Sequence, residues 1–439
     1  MGQDPDKIGR EVLPIPDIPA KGKNALDARN AEFPPIEPLR PPAGAPNVVI
    51  VLLDDMGFGA PSVTGGPCNM PAMQRIADDG LLYNRFHTTA LCSPTRVALL
   101  TGRNHHSAGI GSVAEVATGT PGNDSVRPNT VATVAEMLRL NGYSTACVGK
   151  AHQTPTWEVS MSGPFDRWPT GEGFEKFYGF VGGETNQWSP TLFKGTYPVE
   201  PPKTAEEGYH FSEDITDKAI AWMKGLNVLT PNKPFFAYVS YGATHAPHHV
   251  SQEWIDKYKG KFDKGWDAVR EETLANMKAK GMVPQDTELT GRPEGVKPWD
   301  ELNETEKTVF ARLMEAYAGF AEHTDAQVMR LIDHHQVPFA KYALLECIGI
   351  IDQEVDAAQH QLLGMKDVLV LIRRNEILTS LLVEYLEVQV EAAQHLHQPL
   401  VQQRLRHHHQ HPSDLAGEQQ PVQDQARLDG LAETDLVGQ

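Results

Sequence analysis

Cys92-Ser93-Pro94-Thr95-Arg96, followed by Thr101-Gly102-Arg103, packs a nucleophile, a helix-starting proline and two cations into a dozen residues. Pro94 is suited to the first position of a helix, with Gly102 at its far end. The Cys92 side chain therefore belongs at a helix N-terminus, where anions are favoured. Asp54-Asp55 are adjacent carboxylates, hard oxygen ligands of the kind Ca²⁺ or Mg²⁺ takes. Arg96 offers a planar fork of donors and Lys150 a point charge, both suited to an oxyanion. His152 and His245 carry imidazoles, a group that can titrate near neutrality and move a proton. Taken singly, each has a bland reading: a buried small thiol, a solvated strand end, a surface lysine, a structural histidine.

These residues need a scaffold that brings distant segments together. Asn47–Leu53 is a continuous apolar, β-branched run, the pattern of a strand covered on both faces. Ser144–Gly149 and Phe235–Ser240 are predicted as two more strands. Helical patterns lie after Pro94, over Thr130–Leu140, from a Ser212 cap to Gly225, and over Thr305–Asp333. In the last of these, Phe310, Leu313, Met314, Tyr317, Phe320, Thr324, Val328 and Leu331 form the expected inner stripe. Strands alternating with helices predict an α/β fold with a mostly parallel central sheet flanked by helices. Such sheets bind ligands at the carboxyl ends of their strands. Asp54, Lys150 and His245 all follow a predicted strand, so one cleft can collect them.

The 439 residues contain 39 Lys+Arg against 57 Asp+Glu, a net charge of −18. That balance repels phosphate backbones, so nucleic acid is not an expected partner. Four cysteines are too few for a disulfide scaffold. The longest apolar run is strand-sized, and MGQDPDKIGR has no apolar core of a leader peptide. The expectation is a cytoplasmic chain without a membrane span. Residues 1–46, rich in proline and charge, read as an extended arm, and 47–333 as the α/β domain. From 334 to 439 the composition changes. All seven tryptophans lie at or before Trp299, only five of 37 glycines follow Asp333, and nine of 18 histidines do. Turn signals nearly vanish, although strand–helix junctions need them. This segment reads as an out-of-frame or aberrant translation. The other reading is a genuine helical tail, with runs such as Asp367–Ile372 and Ile377–Leu386 as helices.

The motif Cys92-x-Pro94-x-Arg96, then four residues and Thr101-Gly102-Arg103, resembles the signature of sulfatases of the arylsulfatase type, in the alkaline-phosphatase superfamily. Leu53-Asp54-Asp55-Met56-Gly57, Gly149-Lys150-Ala151-His152 and Thr244-His245-Ala246-Pro247 fit the same resemblance, which covers about residues 47–333. It implies a sulfuric ester hydrolase acting on small-molecule sulfate monoesters. A formylglycine-generating enzyme would oxidise Cys92 to Cα-formylglycine, whose hydrate is the nucleophile. The resemblance casts Asp54, Asp55 and modified Cys92 as ligands of Ca²⁺ (or Mg²⁺), and Arg96, Lys150, His152 and His245 as the groups handling diol and sulfate. Two departures stand out. Ala151 replaces an aromatic residue, and the chain has no Asp-Asn dipeptide to complete the metal site. The alternative is a catalytically inactive, truncated or frameshifted homologue. A phosphoesterase is a third reading, against which Cys92 counts, since those relatives use Thr or Ser.

Overall fold

The computed structural model describes residues 22–23, 25–34, 38–334 and 369–372, all within one compact unit spanning residues 1–375. Its sheet comprises β1 (Val48–Leu52), β2 (Ser144–Ala151), β3 (Lys176–Val181), β4 (Leu192–Lys194), β5 (Tyr197–Val199), β6 (Phe235–Ser240) and β7 (Leu369–Ile372). Its helices are α1 (Pro71–Asp79), α2 (Cys92–Thr101), α3 (Val134–Leu140), α4 (Phe211–Leu229), α5 (Gln252–Asp256), α6 (Gly265–Ala279) and α7 (Glu304–His334). The sheet order is β5-β4-β3-β2-β6-β1-β7. β3, β2, β6 and β1 are parallel, while β4, β5 and β7 add antiparallel edges. The α/β sandwich expected from the alternating pattern is therefore present.

Strand alternation divides the core. Val49, Val51 and Leu53 of β1 and its exit, with Phe235, Ala237 and Val239 of β6, face a layer that includes α1, α4 and α7. Ile50 and Leu52, with Phe236 and Tyr238, face Leu100 of α2 and Ala135 of α3. Both faces are covered, which is why these strands read as unbroken apolar runs rather than alternating ones. Gly149 makes the closest approach in the sheet. A Cβ there would stand 1.8 Å from Ser240 O, so only glycine lets β2 and β6 meet next to Lys150.

Several local expectations are corrected. α4 is capped by His210, whose ring accepts the Ser212 N–H, and it continues past Gly225 to Leu229. α3 begins only after Thr133, which caps it by accepting from Glu136 N. Pro94 is the third residue of α2, not the first. Along α7, Phe320, Thr324, Val328 and Leu331 are buried, but Phe310 and Leu313 lie exposed. Leu369–Ile372, read from sequence as part of a helix, pairs antiparallel with β1. A β-branched apolar run beside an open strand edge satisfies its backbone in that way. The remaining expectations for 334–439, including the aberrant-frame reading, lie outside the described residues. Among the described residues, no helix is long and apolar enough to cross a membrane.

Candidate active site

The carboxyl ends of β1, β2 and β6 deliver Asp54, Lys150 to His152, and Tyr241 to His245 respectively. α2 enters beneath them with Cys92 as its first residue and Leu91 as its N-cap, which has no side-chain capping bond. Arg96 sits one turn further along and reaches back under the sheet ends. Its Nη2 donates to Asp54 Oδ1 at 3.1 Å and its Nη1 to Ser240 Oγ at 2.5 Å. Lys150 Nζ donates to Asp54 Oδ2 at 2.5 Å. The three side chains are at most 2% exposed, so three elements are joined by one desolvated charge cluster. Burial opposes the Asp54 charge, but Lys150 and then Arg96 outweigh it and hold the carboxyl below its usual range. The same partnership raises Arg96 against its own desolvation.

The cluster sums to +1 and lies next to Cys92. Cys92 Sγ is 2.9 Å from His152 Nδ1. Burial pushes the thiol up, yet the His152 bond and the Lys150 field bring it down to about 7. Burial likewise works against a charged His152, but its bonds to Cys92 and to Glu115 prevail and raise its pKa. Cys68 and Cys147, both buried, are pushed up instead, Cys68 to about 12. Position 92 is thus the cysteine among these three that its surroundings activate. Arg96 Nε finds no acceptor among the described residues, an unpaired buried donor within the cluster.

The sequence reading took Asp54 and Asp55 as metal ligands; the structure gives the two carboxylates different surroundings. Asp55 has φ of 53°, the left-handed region that Asp tolerates, and its side chain is 55% exposed while Asp54 is buried. Its carboxylate lies 3.6 Å from His245 Nε2, and its backbone O accepts from Tyr317 OH. His245 therefore stands on the Asp55 side of the site, with Nδ1 2.6 Å from Ala246 O. Both Asp54 oxygens are already engaged by cations. Among the described residues no three His, Cys, Asp or Glu side chains gather as a metal site. Ca²⁺ takes six to eight oxygens, so the described residues do not fit that cation by themselves.

Glu115 escaped the sequence reading. It lies on a short 3₁₀ turn, Ala114–Val116, and both of its oxygens stand 2.8 Å from His152 Nε2. Nothing in a lone loop glutamate marks it from sequence. Ser240 was likewise visible only as a strand end.

A family model described as Sulfatase matches residues 46–335. A sulfatase of unassigned specificity from Schizosaccharomyces pombe is 30% identical over 316 residues, covering 66% of this chain and 54% of that protein. The arylsulfatase of Klebsiella aerogenes is 29% identical over 299 residues, covering 66% of this chain and 62% of the enzyme. Human N-acetylgalactosamine-6-sulfatase is 30% identical over 251 residues, covering 52% and 44%. The chain thus spans about half the length of the curated relatives it matches. A solved Bacteroides fragilis structure superposes with a TM-score of 0.50 at 16% identity, covering 75% of this chain and 67% of that one; that likeness bears on the fold alone.

Proposed function

The chain belongs to the sulfatase family, and from that premise we propose that it hydrolyses sulfate monoesters by nucleophilic attack from position 92. The reading requires a formylglycine-generating enzyme to oxidise Cys92 to the aldehyde, with molecular oxygen as oxidant, an external thiol supplying the remaining two electrons and the cysteine sulfur leaving as sulfide. In the structure the thiol sulfur then stands in for one oxygen of the aldehyde hydrate. The carrying observation is the 2.9 Å approach of Cys92 Sγ to His152 Nδ1 at the start of α2, beside the buried Arg96–Asp54–Lys150 cluster.

The residues divide the work by chemistry. His152 accepts a proton from the hydrate as one hydroxyl attacks sulfur. The sulfur–oxygen bond to the alcohol breaks, and the alcohol leaves with a proton that His245 is suited to supply. Arg96 and Lys150 offset the charge on the sulfuryl oxygens, in a site that excludes water from the cluster. The second hydroxyl then loses its proton, the carbon–oxygen bond to sulfate breaks, and the aldehyde returns. The net change is one ester and one water to one alcohol and one sulfate. A divalent cation would add Lewis-acid stabilisation there, but it needs oxygens beyond Asp54 and Asp55. That shortage favours a second reading, a homologue that keeps the cradle and turns over little or no ester.

The test is Cys92→Ser assayed with an aryl sulfate. A serine hydroxyl can attack but has no second hydroxyl with which to expel sulfate, so the variant should stop after one turnover. Sustained multiple turnover at the rate of the fully modified parent would refute the hydrate mechanism.

A further inference from the structure

We propose that Glu115 is a positioning residue: it fixes the His152 ring so that the Nδ1 lone pair faces the side chain of residue 92. This rests on the proposed role of residue 92 for its catalytic meaning, while the geometry stands without it. Both Glu115 oxygens lie 2.8 Å from His152 Nε2. An ionised carboxylate only accepts hydrogen bonds, so Nε2 must carry the hydrogen. In the neutral ring that leaves the lone pair on Nδ1, the atom 2.9 Å from Cys92 Sγ. The assignment follows from donor and acceptor chemistry. His152 is buried, whereas the Glu115 side chain is 47% exposed, so the carboxylate stays hydrated and charged while the ring has little access to water as a substitute partner.

Two further features hold the pair. The Ala114 N–H donates to Ser93 Oγ at 3.2 Å, and Ser125 Oγ donates to Ala114 O. Ser93 follows Cys92 directly on α2, so the residue next to the nucleophile also tethers the turn that carries Glu115. On another side stands Gly183, where an added Cβ would come within 3.0 Å of His152 Cε1 and 3.4 Å of Glu115 Oε1. The ring is thus bonded at both nitrogens and backed by a residue with no side chain. Glu115 does not touch the position of the reacting atoms. It acts through His152, in the way an outer partner sets the tautomer of a functional histidine.

The test uses the full chain with ¹⁵N-labelled histidine in a Cys92→Ser background, where the serine hydroxyl stands in for the hydrate. Comparison with His152→Asn assigns the His152 signals. At a pH above the raised pKa of His152, where the ring is neutral, Nε2 should read as protonated and Nδ1 as unprotonated when Glu115 is present. Glu115→Ala should shift both nitrogens toward an averaged value. Glu115→Gln, whose carbonyl can accept from Nε2, should restore the parent pattern. In the formylglycine form, Glu115→Ala should lower kcat by on the order of 10–100-fold with KM little changed, and Glu115→Gln should recover most of it. An unchanged nitrogen pattern in Glu115→Ala would overturn the proposal, as would a loss confined to KM. If the parent turns over no sulfate ester, the hydrolase reading fails, and the nitrogen pattern still decides the role of Glu115.

Discussion

Asp54→Asn is the substitution that exposes the charge balance of the site. It keeps the side chain's shape and removes the one negative charge between two cations. Arg96 Nη2 lies 3.1 Å from Oδ1 and Lys150 Nζ 2.5 Å from Oδ2, all three side chains at most 2% exposed. The parent cluster sums to +1 and the variant to +2, with both cations desolvated. The asparagine amide also presents donors where acceptors are needed. Removing one partner of a buried ion pair costs about 3–5 kcal/mol. At about 2 °C per kcal/mol for a domain of a few hundred residues, the melting temperature should fall by roughly 6–10 °C. Thermal unfolding followed by circular dichroism measures this. Added salt should change the loss little, because buried pairs are poorly screened. Asp54→Asn combined with Lys150→Met removes one of the stranded cations and should lose less than the sum of the single variants. A fall under about 2 °C, or strict additivity, would refute the reasoning that Asp54 holds three elements together.

Two further outcomes concern stability away from the site. His210 caps α4 through Nδ1 and bonds His249 O through Nε2, which fits the neutral ring; burial, then the nearby His323, lower its pKa to about 3. The unfolded chain binds that proton from about pH 6.5, so stability contributed by His210 is full above 6.5 and is lost as pH falls toward 3, by about 1.4 kcal/mol per unit. Urea midpoints at pH 7 and pH 5 should differ more in the parent than in His210→Asn, which keeps a capping acceptor; equal differences would contradict this. Asp325 of α7 accepts from Ala72 N at 2.7 Å and Met73 N at 3.0 Å, capping α1 from across the core where Met70 has no side-chain cap. Asp325→Ala should cost roughly 2–4 kcal/mol in urea unfolding, the sum of an absent cap and orphaned buried donors, with Asp325→Asn losing less.

β1 and β6 were legible because a strand covered on both faces needs apolar residues at every position, and that run is hard to mistake. α7 was legible from its period, though the exposure of Phe310 and Leu313 was not, since periodicity does not say where the neighbouring layer ends. β4 and β5 are three residues each, too short to leave a pattern. β3 carries Gly179 in its middle, a residue that argues against a strand until the close approach to Gly149 O explains it. At the site, residue type and position after a strand or within a motif singled out Arg96, Lys150, His152 and His245 as candidates. The different surroundings of Asp54 and Asp55 were not legible, because both lie past the end of β1 and Asp55 takes a left-handed φ of 53°, where strand alternation gives no guide. Adjacency alone suggested that they share a ligand. Glu115 could not be found, since its partner lies 37 residues away and its placement depends on the Ser93 tether.

The most direct test of the central claim is the mass of the tryptic peptide Phe86–Arg96, taken from protein made aerobically together with a formylglycine-generating enzyme. Conversion of Cys92 to an aldehyde, together with turnover of an aryl sulfate that tracks the converted fraction, is the expected result. A peptide that carries only the unmodified thiol, in protein that nevertheless hydrolyses the ester, would contradict it.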